Sequence, residues 1–257
     1  MSVEGLKVRA IEFGIGKPKI CVPIVARKRE DILFQVEEAL KREPDCIELR
    51  IDWYEEVFDT EKVLELVKEI RERLGNVVFL FTYRTANEGG EAATHYKAYR
   101  ELCKAVCESG YIDMIDVEAY MEEGLLKTMV DVAHSRQVFV VASNHDFHNT
   151  PSEEEIVKRL QFMDGSGADI PKIAVMPRNE RDVLTLLSAT LRYRELGGVK
   201  PVITMSMGGT GTVSRLAGEV FGSAMTFAAV NRVSAPGQLS VDDVKYVLDI
   251  MHTKRER

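Results

Sequence analysis

The chain has 257 residues, of which 45% are hydrophobic, and its formal net charge is −7. This apolar content supports a sizeable core, which excludes a disordered chain and a small disulfide-stapled scaffold. The acidic balance argues against broad nucleic-acid binding, because such binding relies on a basic surface. We therefore expect a globular protein with no nucleic-acid partner.

Membrane and export signals are missing from the sequence. It contains no run of about 18 apolar residues, and residues 1–14 are interrupted by charged side chains where a secretory signal would be apolar. The four cysteines lack metal-finger spacing, and Cys103 and Cys107 lie in a helical-looking stretch where reduced thiols are expected. These features predict a cytoplasmic protein with no membrane partner.

Short apolar runs rich in β-branched residues alternate with longer amphipathic segments along the chain. We predict strands at residues 19–24, 46–53, 77–83, 112–118, 138–143, 170–176, 201–206 and 227–232. The predicted helices span residues 30–42, 60–74, 93–108, 124–135, 152–164, 180–195, 214–222 and 240–251. Capping signals mark the start of two of them, at Ser152 and Ser240, each with acidic residues in the first turn.

The spacing of the strands predicts the fold. Successive strands begin roughly 30 residues apart, which is typical of the repeating unit of a (β/α)8 barrel. The alternative is an open doubly wound sheet, but the residues after Ile24 lack the glycine-rich turn that such a sheet usually carries. Residues 8–13 indicate an additional hairpin. We therefore predict an α/β protein with one domain over residues 1–257, a (β/α)8 TIM barrel whose N-terminal β-hairpin closes the bottom.

The second predicted strand carries charges where a barrel strand is usually apolar. Alternation places its isoleucines and leucine on one face and Glu48, Arg50 and Asp52 on the other. An exposed edge strand would show the same pattern, but a closed barrel has no edges. Buried charges are costly unless they are paired or used, so this strand predicts a substrate site at the C-terminal mouth of the barrel.

Ionisable residues also follow the next three predicted strands. Arg84 comes after the third strand, Asp116 and Glu118 share one face of the fourth, and His145 comes after the fifth. Barrel enzymes keep their chemistry at these strand ends. The sequence thus predicts that these side chains meet at one site.

Lys172 interrupts the apolar sixth strand, and alternation points its side chain into the barrel. One interpretation is a static ion pair with Glu48 or Glu118. The functional interpretation is a nucleophilic amine, because burial and neighbouring cations such as Arg50 and Arg84 favour the neutral form that attacks carbonyls. Both interpretations place the amine inside the barrel.

A glycine-rich loop follows the seventh strand and leads to Arg215. Glycines allow the backbone to approach an anion, and the N-terminus of the following helix favours negative charge. The planar guanidinium fits a phosphate or a carboxylate equally well. We therefore predict an anion site that takes one of these two groups.

Six segments of the chain form a recognisable set in their order and spacing. They are Glu48-Leu49-Arg50-Ile51-Asp52, Tyr83-Arg84-Thr85-Ala86-Asn87-Glu88-Gly89-Gly90, Ser143-Asn144-His145-Asp146-Phe147, Pro171-Lys172, residues 205–215, and Ser234-Ala235-Pro236-Gly237-Gln238. Over essentially the whole chain, this set resembles the type I 3-dehydroquinate dehydratases, lyases of the shikimate pathway of aromatic amino acid biosynthesis.

The resemblance implies a Schiff-base mechanism. Lys172 would condense with the C3 ketone of 3-dehydroquinate, and His145 would remove a C2 proton and then protonate the departing C1 hydroxyl. Glu88 would orient and tune His145. Syn loss of water and hydrolysis of the imine would leave 3-dehydroshikimate. The physical logic is that a cationic imine accepts the electrons of the developing carbanion, while histidine relays protons near neutral pH.

The resemblance also implies how the substrate is held. Its carboxylate would lie against Arg215, and the segment 234–238 would close over the ring. The other implied substrate-binding residues are Glu48, Arg50 and Arg84 for the ring hydroxyls, Met205 and Phe227 for the ring face, and Ser234 and Gln238 near the carboxylate. The family is generally dimeric and needs no metal or organic cofactor, so a homodimer and a cofactor-free site are expected.

Several alternatives stay open at this level. A Schiff-base aldolase would share Lys172 and an anion loop, and a non-catalytic barrel would bind a metabolite as a sensor. His145 and His148 would also suit a metal pair, although no third ligand is evident in the sequence. Quinate breakdown uses the same reaction as aromatic biosynthesis, so the residues do not separate these two roles.

Overall fold

The computed structural model describes residues 4–230 and 234–255. Its strands are β1 (Leu6–Val8), β2 (Ile11–Phe13), β3 (Lys19–Ile24), β4 (Cys46–Arg50), β5 (Val78–Thr82), β6 (Met114–Glu118), β7 (Phe139–Asp146), β8 (Ile170–Val175), β9 (Ile203–Ser206) and β10 (Met225–Phe227). Its α-helices are α1 (Arg29–Leu40), α2 (Thr60–Leu74), α3 (Tyr96–Glu108), α4 (Leu125–Ser135), α5 (Glu153–Gly165), α6 (Glu180–Glu195), α7 (Thr212–Leu216), α8 (Gly218–Phe221) and α9 (Val241–Arg255). Short 3-10 helices cover Ile51–Trp53 and Ala86–Glu88.

The strands β3 to β10 form one parallel sheet of eight strands, in the order β10-β3-β4-β5-β6-β7-β8-β9. The two outermost strands of this order approach each other, because Val202 bridges to Ser223 and the N–H of Ala224 donates to the carbonyl oxygen of Val202 at 2.7 Å. Helices alternate with the strands along the chain. The (β/α)8 barrel is thereby confirmed, and the doubly wound alternative is excluded.

Two apolar clusters follow from the alternation of side chains along the strands. Ile47, Leu49 and Ile173 face outward and belong to the larger cluster, which packs the sheet against the surrounding helices. Cys46 and Ala174 face inward and belong to a smaller cluster inside the barrel. The predicted division of the second and sixth strands into an apolar and a functional face is correct.

The N-terminal hairpin closes one end of the barrel. β1 and β2 are antiparallel with Leu6 opposite Phe13, and the turn between them places Arg9 at a φ of 53°. Val8 and Phe13 are buried, at 2% and 0% exposure, and join the cluster inside the barrel. The predicted plug of the barrel bottom is confirmed.

The eighth predicted strand is wrong in its bounds. The prediction is residues 227–232, but β10 spans Met225–Phe227; residues 231 and 232 lie outside the described part. The ladder to β3 ends when the N–H of Ala228 donates to Cys21, after which Ala229 bonds to Leu239 and bridges to Ser240. The apolar run from residue 227 therefore leaves the sheet to meet the segment before α9.

Most other elements differ from the predicted bounds by one to four residues, and three differences are larger or affect the site. The second strand stops at Arg50, and Ile51–Trp53 forms a 3-10 helix. The fifth strand is longer than predicted and includes His145. The predicted helix 214–222 is divided into α7 and α8, because Gly218 lies against Pro18 and the backbone of Ser223, where a Cβ would stand 2.7 Å from each.

Other predictions are confirmed by local contacts. Ser152 accepts a hydrogen bond from the N–H of Glu155 at the start of α5, and Ser240 accepts one from the N–H of Asp243 before α9. Cys103 and Cys107 are buried free thiols on α3. No helix in the described ranges combines the length and the apolar character that crossing a bilayer requires.

Candidate active site

A cavity with an empty volume of about 480 Å³ lies at the C-terminal ends of the barrel strands. The predicted catalytic and substrate-binding residues line it: Glu48, Arg50, Arg84, Glu88, His145, Lys172, Met205, Arg215, Phe227, Ser234 and Gln238. The remaining lining residues are Gly89, Phe147, Ala174, Met207 and Ala235. Residues from widely separated parts of the chain thus meet because parallel strands end at the same edge of the barrel.

Lys172 points into this cavity from β8 and is 3% exposed. Its Nζ donates to Oδ2 of Asp116 at 2.9 Å, lies 4.0 Å from Oε1 of Glu48, and sits 4.7 Å from the centre of the Phe227 ring. The predicted partners are Glu48 and Glu118, whereas the hydrogen-bonded partner is Asp116. Because this partner is a carboxylate, the resting environment of Nζ differs from the cation-lined one that the sequence predicts.

Asp116 is the centre of a buried polar network. Its Oδ1 accepts hydrogen bonds from Nη2 of Arg84 at 2.7 Å and from Oγ of Ser143 at 2.5 Å. Burial alone would raise the pKa of Asp116, but Arg84 and Lys172 outweigh burial and hold that pKa well below its usual range. Asp116 therefore stays ionised next to Lys172.

Arg84 connects three carboxylates. Besides Asp116, its Nη1 donates to Oε1 of Glu118 at 3.1 Å and lies 3.7 Å from Oε2 of Glu88. Burial disfavours the charge of this guanidinium, but Asp116 and Glu118 raise its pKa well above the usual value. Most of its donors are already used, so Arg84 holds the walls of the cavity together.

His145 and Glu88 form a second pair at the rim of the cavity. Nδ1 of His145 lies 2.8 Å from Oε2 of Glu88, and the backbone N–H of His145 donates to the same oxygen at 3.0 Å. Glu88 ends the 3-10 helix after β5, and His145 lies near the end of β7. A carboxylate on Nδ1 holds the imidazole in the tautomer whose Nε2 carries a lone pair.

Burial drives both members of this pair toward their neutral forms. Burial, with further contributions from Arg84 and Lys172, lowers the pKa of His145 well below its usual value. Burial likewise raises the pKa of Glu88 to about 7, although Arg84 opposes the increase. Both shifts favour a neutral imidazole beside a carboxyl group that titrates near neutral pH.

Arg215 is a buried cation of a different kind. It is 3% exposed, its Nη2 donates to the carbonyl oxygen of Pro236 at 3.0 Å, and its Nη1 lies 3.6 Å from Sδ of Met205. Its Nε is buried without a hydrogen-bond partner, and no carboxylate of the described residues pairs with it. Burial lowers its pKa to about 10. Such a site is suited to an anionic group of a ligand.

Close packing of the backbone requires a glycine at Gly211 in the loop after β9 and at Gly237 opposite it. A Cβ at Gly211 would lie 2.2 Å from the carbonyl oxygen of Ser206, and one at Gly237 would lie 2.3 Å from that of Gly208. None of the residues 208–212 lines the cavity. The backbone cradle for an anion stays a prediction, and the absence of a side chain at Gly237 lets the segment 234–238 lie directly on the loop after β9.

The segment 234–238 is held by its own polar side chains. Oε1 of Gln238 accepts from the N–H of Ser234 at 2.8 Å, and its Nε2 donates to Oγ of Ser234 at 2.9 Å. The carbonyl oxygen of Pro236 also accepts from the N–H of Gly208 at 3.2 Å. Together with Arg215, these contacts fix the segment over one side of the cavity.

The charges of the second predicted strand have separate surroundings. Arg50 donates to both oxygens of Asp52 at 2.8 Å, and Oε1 of Glu48 accepts from Oγ1 of Thr82 at 2.8 Å. Asp52 does not line the main cavity; it also accepts hydrogen bonds from the N–H groups of Arg84 and Glu91. Asp52 therefore holds the guanidinium of Arg50 in place without lining the cavity itself.

Sequence reasoning misses some of the residues that build the site. It identifies Asp116 as an inward-facing carboxylate but not as the partner of Lys172, and it gives Ser143 and Asn144 no role. Asn144 donates to Oε1 of Glu88 at 3.2 Å. Alternation gives a signal for Ser143, which shares a face with His145, but no pattern in the sequence reveals the contact of Asn144.

The hypothesis of a metal pair at His145 and His148 lacks a ligand set. Within residues 4–230 and 234–255, no three His, Cys, Asp or Glu residues come together as a metal site. His145 contacts Glu88 through its Nδ1, and His148 is exposed on the loop after β7.

Comparison with known proteins identifies the family. The model of the family described as type I 3-dehydroquinase matches residues 20–255. The chain belongs to the type I 3-dehydroquinase family. A 3-dehydroquinate dehydratase from Listeria welshimeri is 49% identical over 245 residues, which cover 95% of this chain and 97% of the relative.

Solved structures of this family share the fold. The chain is similar to a type I 3-dehydroquinate dehydratase from Clostridium difficile, crystallised with covalent modified comenic acid, with a TM-score of 0.95, 43% identity, and coverage of 99% and 100% of the two chains. A 3-dehydroquinate dehydratase from Geobacillus kaustophilus gives a TM-score of 0.95 at 40% identity, covering 98% of each chain. The family match excludes the aldolase and sensor alternatives.

Proposed function

We propose that the chain dehydrates 3-dehydroquinate to 3-dehydroshikimate by syn elimination through a Schiff base on Lys172. As a member of the type I 3-dehydroquinase family, it is a lyase of the shikimate pathway. The observation that carries the proposed mechanism is a buried lysine that opens onto a cavity shared with a histidine–carboxylate pair. The roles of the individual residues below are part of this proposal.

The first chemical step is imine formation at Lys172. The amine loses its proton, Nζ adds to the C3 carbonyl carbon, and the carbonyl oxygen leaves as water, which yields a cationic imine. Asp116, 2.9 Å from Nζ, then serves as the counterion of that cation. Covalent chemistry in this cavity agrees with the covalent modified comenic acid in the Clostridium difficile relative.

The second step is the elimination, carried out by His145. Its Nε2 accepts a C2 proton, and the electron pair moves toward the iminium nitrogen to give an enamine. The pair then returns to form the C1–C2 double bond while the C1 hydroxyl leaves with the proton from the imidazolium. Hydrolysis of the product imine restores Lys172, and the net change is the loss of one water molecule. Glu88 supports this relay by holding Nδ1 of His145.

The side chains that line the cavity would orient the substrate. The buried guanidinium of Arg215, which pairs with no described carboxylate, suits the substrate carboxylate, because its planar donors can bind both carboxylate oxygens. Glu48, Arg50 and Arg84 face the space where ring hydroxyls would lie. Met205 and Phe227 line the cavity as apolar contacts for the ring. This clamp would present one face of the ring to His145.

The wider setting of the reaction also belongs to the proposal. We expect a homodimer with one barrel domain per chain, a cytoplasmic location, no organic cofactor or metal, and no nucleic-acid partner. Sedimentation at equilibrium would test the dimer, since a monomer across the working concentration range would contradict it.

Borohydride trapping tests the imine directly. Incubation with 3-dehydroquinate and borohydride should add one reduced substrate-derived group to the protein, and mass spectrometry of peptides should locate it on Lys172. Lys172→Ala should lose both the adduct and the enone absorbance of the product. Lys200→Ala is a matched control, because Lys200 is a partly buried lysine that pairs with Asp164 away from the cavity. An adduct that persists in Lys172→Ala would refute the proposal.

The same assay separates the two steps. His145→Ala should still form the trapped adduct, because the amine is intact, but turnover should fall by roughly 10²–10⁴-fold, the usual contribution of a general acid–base group. Near-native turnover in His145→Ala would show that the assigned proton relay is wrong.

A further inference from the structure

A chain of polar contacts runs from the surface of α5 to His145. Arg159 on α5 donates from Nε to Oε1 of Glu155 at 2.8 Å and from Nη1 to Oδ1 of Asn144 at 2.9 Å. Asn144 in turn donates from Nδ2 to Oε1 of Glu88 at 3.2 Å. Because Glu88 holds Nδ1 of His145, the exposed end of this chain is connected to the proposed base.

The chemistry of the two ends fixes the orientation of the Asn144 amide. A guanidinium has only donors, so it requires the carbonyl oxygen Oδ1. The amide nitrogen must then face Glu88, where it serves as a donor. A rotated amide would place its NH2 group against Arg159 and its oxygen against a carboxylate, and both contacts would be repulsive. Arg159 therefore decides that Asn144 donates to Glu88.

A donor on Oε1 favours the ionised form of Glu88. Oε2 of the ionised carboxylate then accepts the proton on Nδ1 of His145, and Nε2 keeps its lone pair. If Glu88 is instead protonated, its hydroxyl donates to Nδ1, and the proton of the neutral imidazole moves to Nε2, where the base function is lost. Asn144 acts against the burial of Glu88, which favours the protonated form.

We propose that Asn144 and Arg159 are positioning residues for the reaction: Arg159 orients the Asn144 amide, and that amide keeps Glu88 as an acceptor for Nδ1 of His145. This inference rests on the proposed role of His145. Neither residue lines the main cavity, so both act through Glu88 and not by touching the substrate.

Other charged groups also influence the pKa values of His145 and Glu88, and the variants in the test must leave that influence unchanged. These groups are Arg84 from the segment after β5, Asp116 and Glu118 from β6, and Lys172 and Arg50, which act on His145. None of them contacts the Asn144 amide through a hydrogen bond among the described residues. Substitutions at Asn144 and Arg159 therefore leave this influence in place.

The first readout is the pH dependence of kcat in Asn144→Ala and Arg159→Met. Loss of a hydrogen bond to a charged group should move the acid limb of the profile upward by about one pH unit in Asn144→Ala. Arg159→Met should shift it in the same direction by less, and Arg159→Lys should restore it, since an ammonium also donates to Oδ1. Arg192→Met is the matched control, because Arg192 pairs with Glu153 and Glu154 on the surface and does not contact Asn144.

The second readout does not depend on activity. The ¹⁵N resonances of His145 report its tautomer, and at neutral pH both variants should show more protonation of Nε2 than the unsubstituted enzyme. Unchanged resonances and an unchanged acid limb in both folded variants would overturn the inference, and a shift in Asn144→Ala alone would remove Arg159 from it. Failure of the proposed function is distinguished by His145→Ala: if that variant turns over normally while the resonances still shift, the chain of contacts exists but does not serve catalysis.

Discussion

The guanidinium of Arg215 donates a hydrogen bond to the carbonyl oxygen of Pro236 at 3.0 Å. Arg50, Arg84 and Lys172 each pair with carboxylates, whereas Arg215 has no carboxylate partner among the described residues. The same contact therefore joins a buried, uncompensated cation to the segment 234–238. Binding of an anionic ligand and the position of this segment are thus coupled through one side chain.

Arg215→Met should weaken substrate binding and stabilise the free protein. Loss of a contact between a buried charge and the substrate should weaken the binding free energy by roughly 2–5 kcal/mol. This change corresponds to an increase in KM of about 30-fold or more. Removal of an uncompensated buried charge should raise the free energy of unfolding by about 0.5–2 kcal/mol. Steady-state kinetics and urea unfolding measure the two effects. An unchanged KM would contradict the carboxylate clamp.

Gly237→Ala should displace the segment 234–238. Gly237 has a φ of +78°, and a Cβ there would lie 2.3 Å from the carbonyl oxygen of Gly208. The strain of about 1–3 kcal/mol should raise KM by roughly tenfold, because Arg215 loses its support from Pro236. Gly209→Ala is the control, since a Cβ added at Gly209 would meet no atom within 4 Å. Equal KM values for the two variants would refute the role of the segment.

Asp116→Ala should destabilise the protein strongly. It leaves Arg84 and Lys172 partly unpaired in the interior, at a cost of about 3–5 kcal/mol in the free energy of unfolding. The control Asp242→Ala removes an exposed ion pair with Arg42 and should cost less than about 1 kcal/mol. Urea unfolding at neutral pH compares the two. If Asp116→Ala lowers the free energy of unfolding no more than Asp242→Ala does, the stabilising role of Asp116 between Arg84 and Lys172 is contradicted.

The pH dependence of this stabilisation has a defined sign. The folded-state pKa of Asp116 lies below its usual value of 3.8. Its contribution is therefore complete above that value and is lost as the pH falls through the folded-state pKa. The difference in stability between the unsubstituted protein and Asp116→Ala should accordingly be constant near neutral pH and shrink only in strong acid.

Turnover should depend on the ionisation of Glu88. Burial raises the pKa of Glu88 to about 7. Below that pH Glu88 is protonated and donates to Nδ1 of His145, so Nε2 carries the proton and cannot accept one from the substrate. We expect kcat to fall as the pH decreases through about 7 and to be level above it. Glu88→Gln should lose this acid limb and be slower at every pH by roughly 10²-fold or more. A limb that persists in Glu88→Gln would assign it to another group.

The positions of most elements can be predicted because the signal is local. The bounds of β3, α2 and α6 agree with the prediction residue for residue, since each has a clear apolar period and defined ends. The predicted eighth strand begins too late because residues 224–230 are apolar apart from Thr226, and only the contact with residues 239 and 240 shows where the ladder ends. The sequence of an apolar segment does not show which other segment its backbone will pair with.

The site is predictable as a set of residues but not as a set of contacts. Alternation shows that Glu48, Asp116 and Glu118 all face the interior. Which of them pairs with Lys172 depends on the relative heights of the strands: Asp116 lies at 2.9 Å, Glu48 at 4.0 Å, and Glu118 is used by Arg84 and Thr85. The contacts of the loop after β9 are beyond the sequence for the same reason, because its neighbour, the segment 234–238, comes from a distant part of the chain.

Alternation and spacing are properties of the chain alone, and they are enough to predict the barrel and the hairpin at its base, while the resemblance of six sequence segments points to the family. The charge environment of the site emerges only when the chain is folded: Lys172 is compensated by Asp116, Arg215 is not compensated by any described carboxylate, and Arg159 reaches His145 through Asn144 and Glu88. The physical reason is that electrostatic interactions and hydrogen bonds depend on distances of a few ångströms between residues far apart in sequence. Folding alone sets those distances.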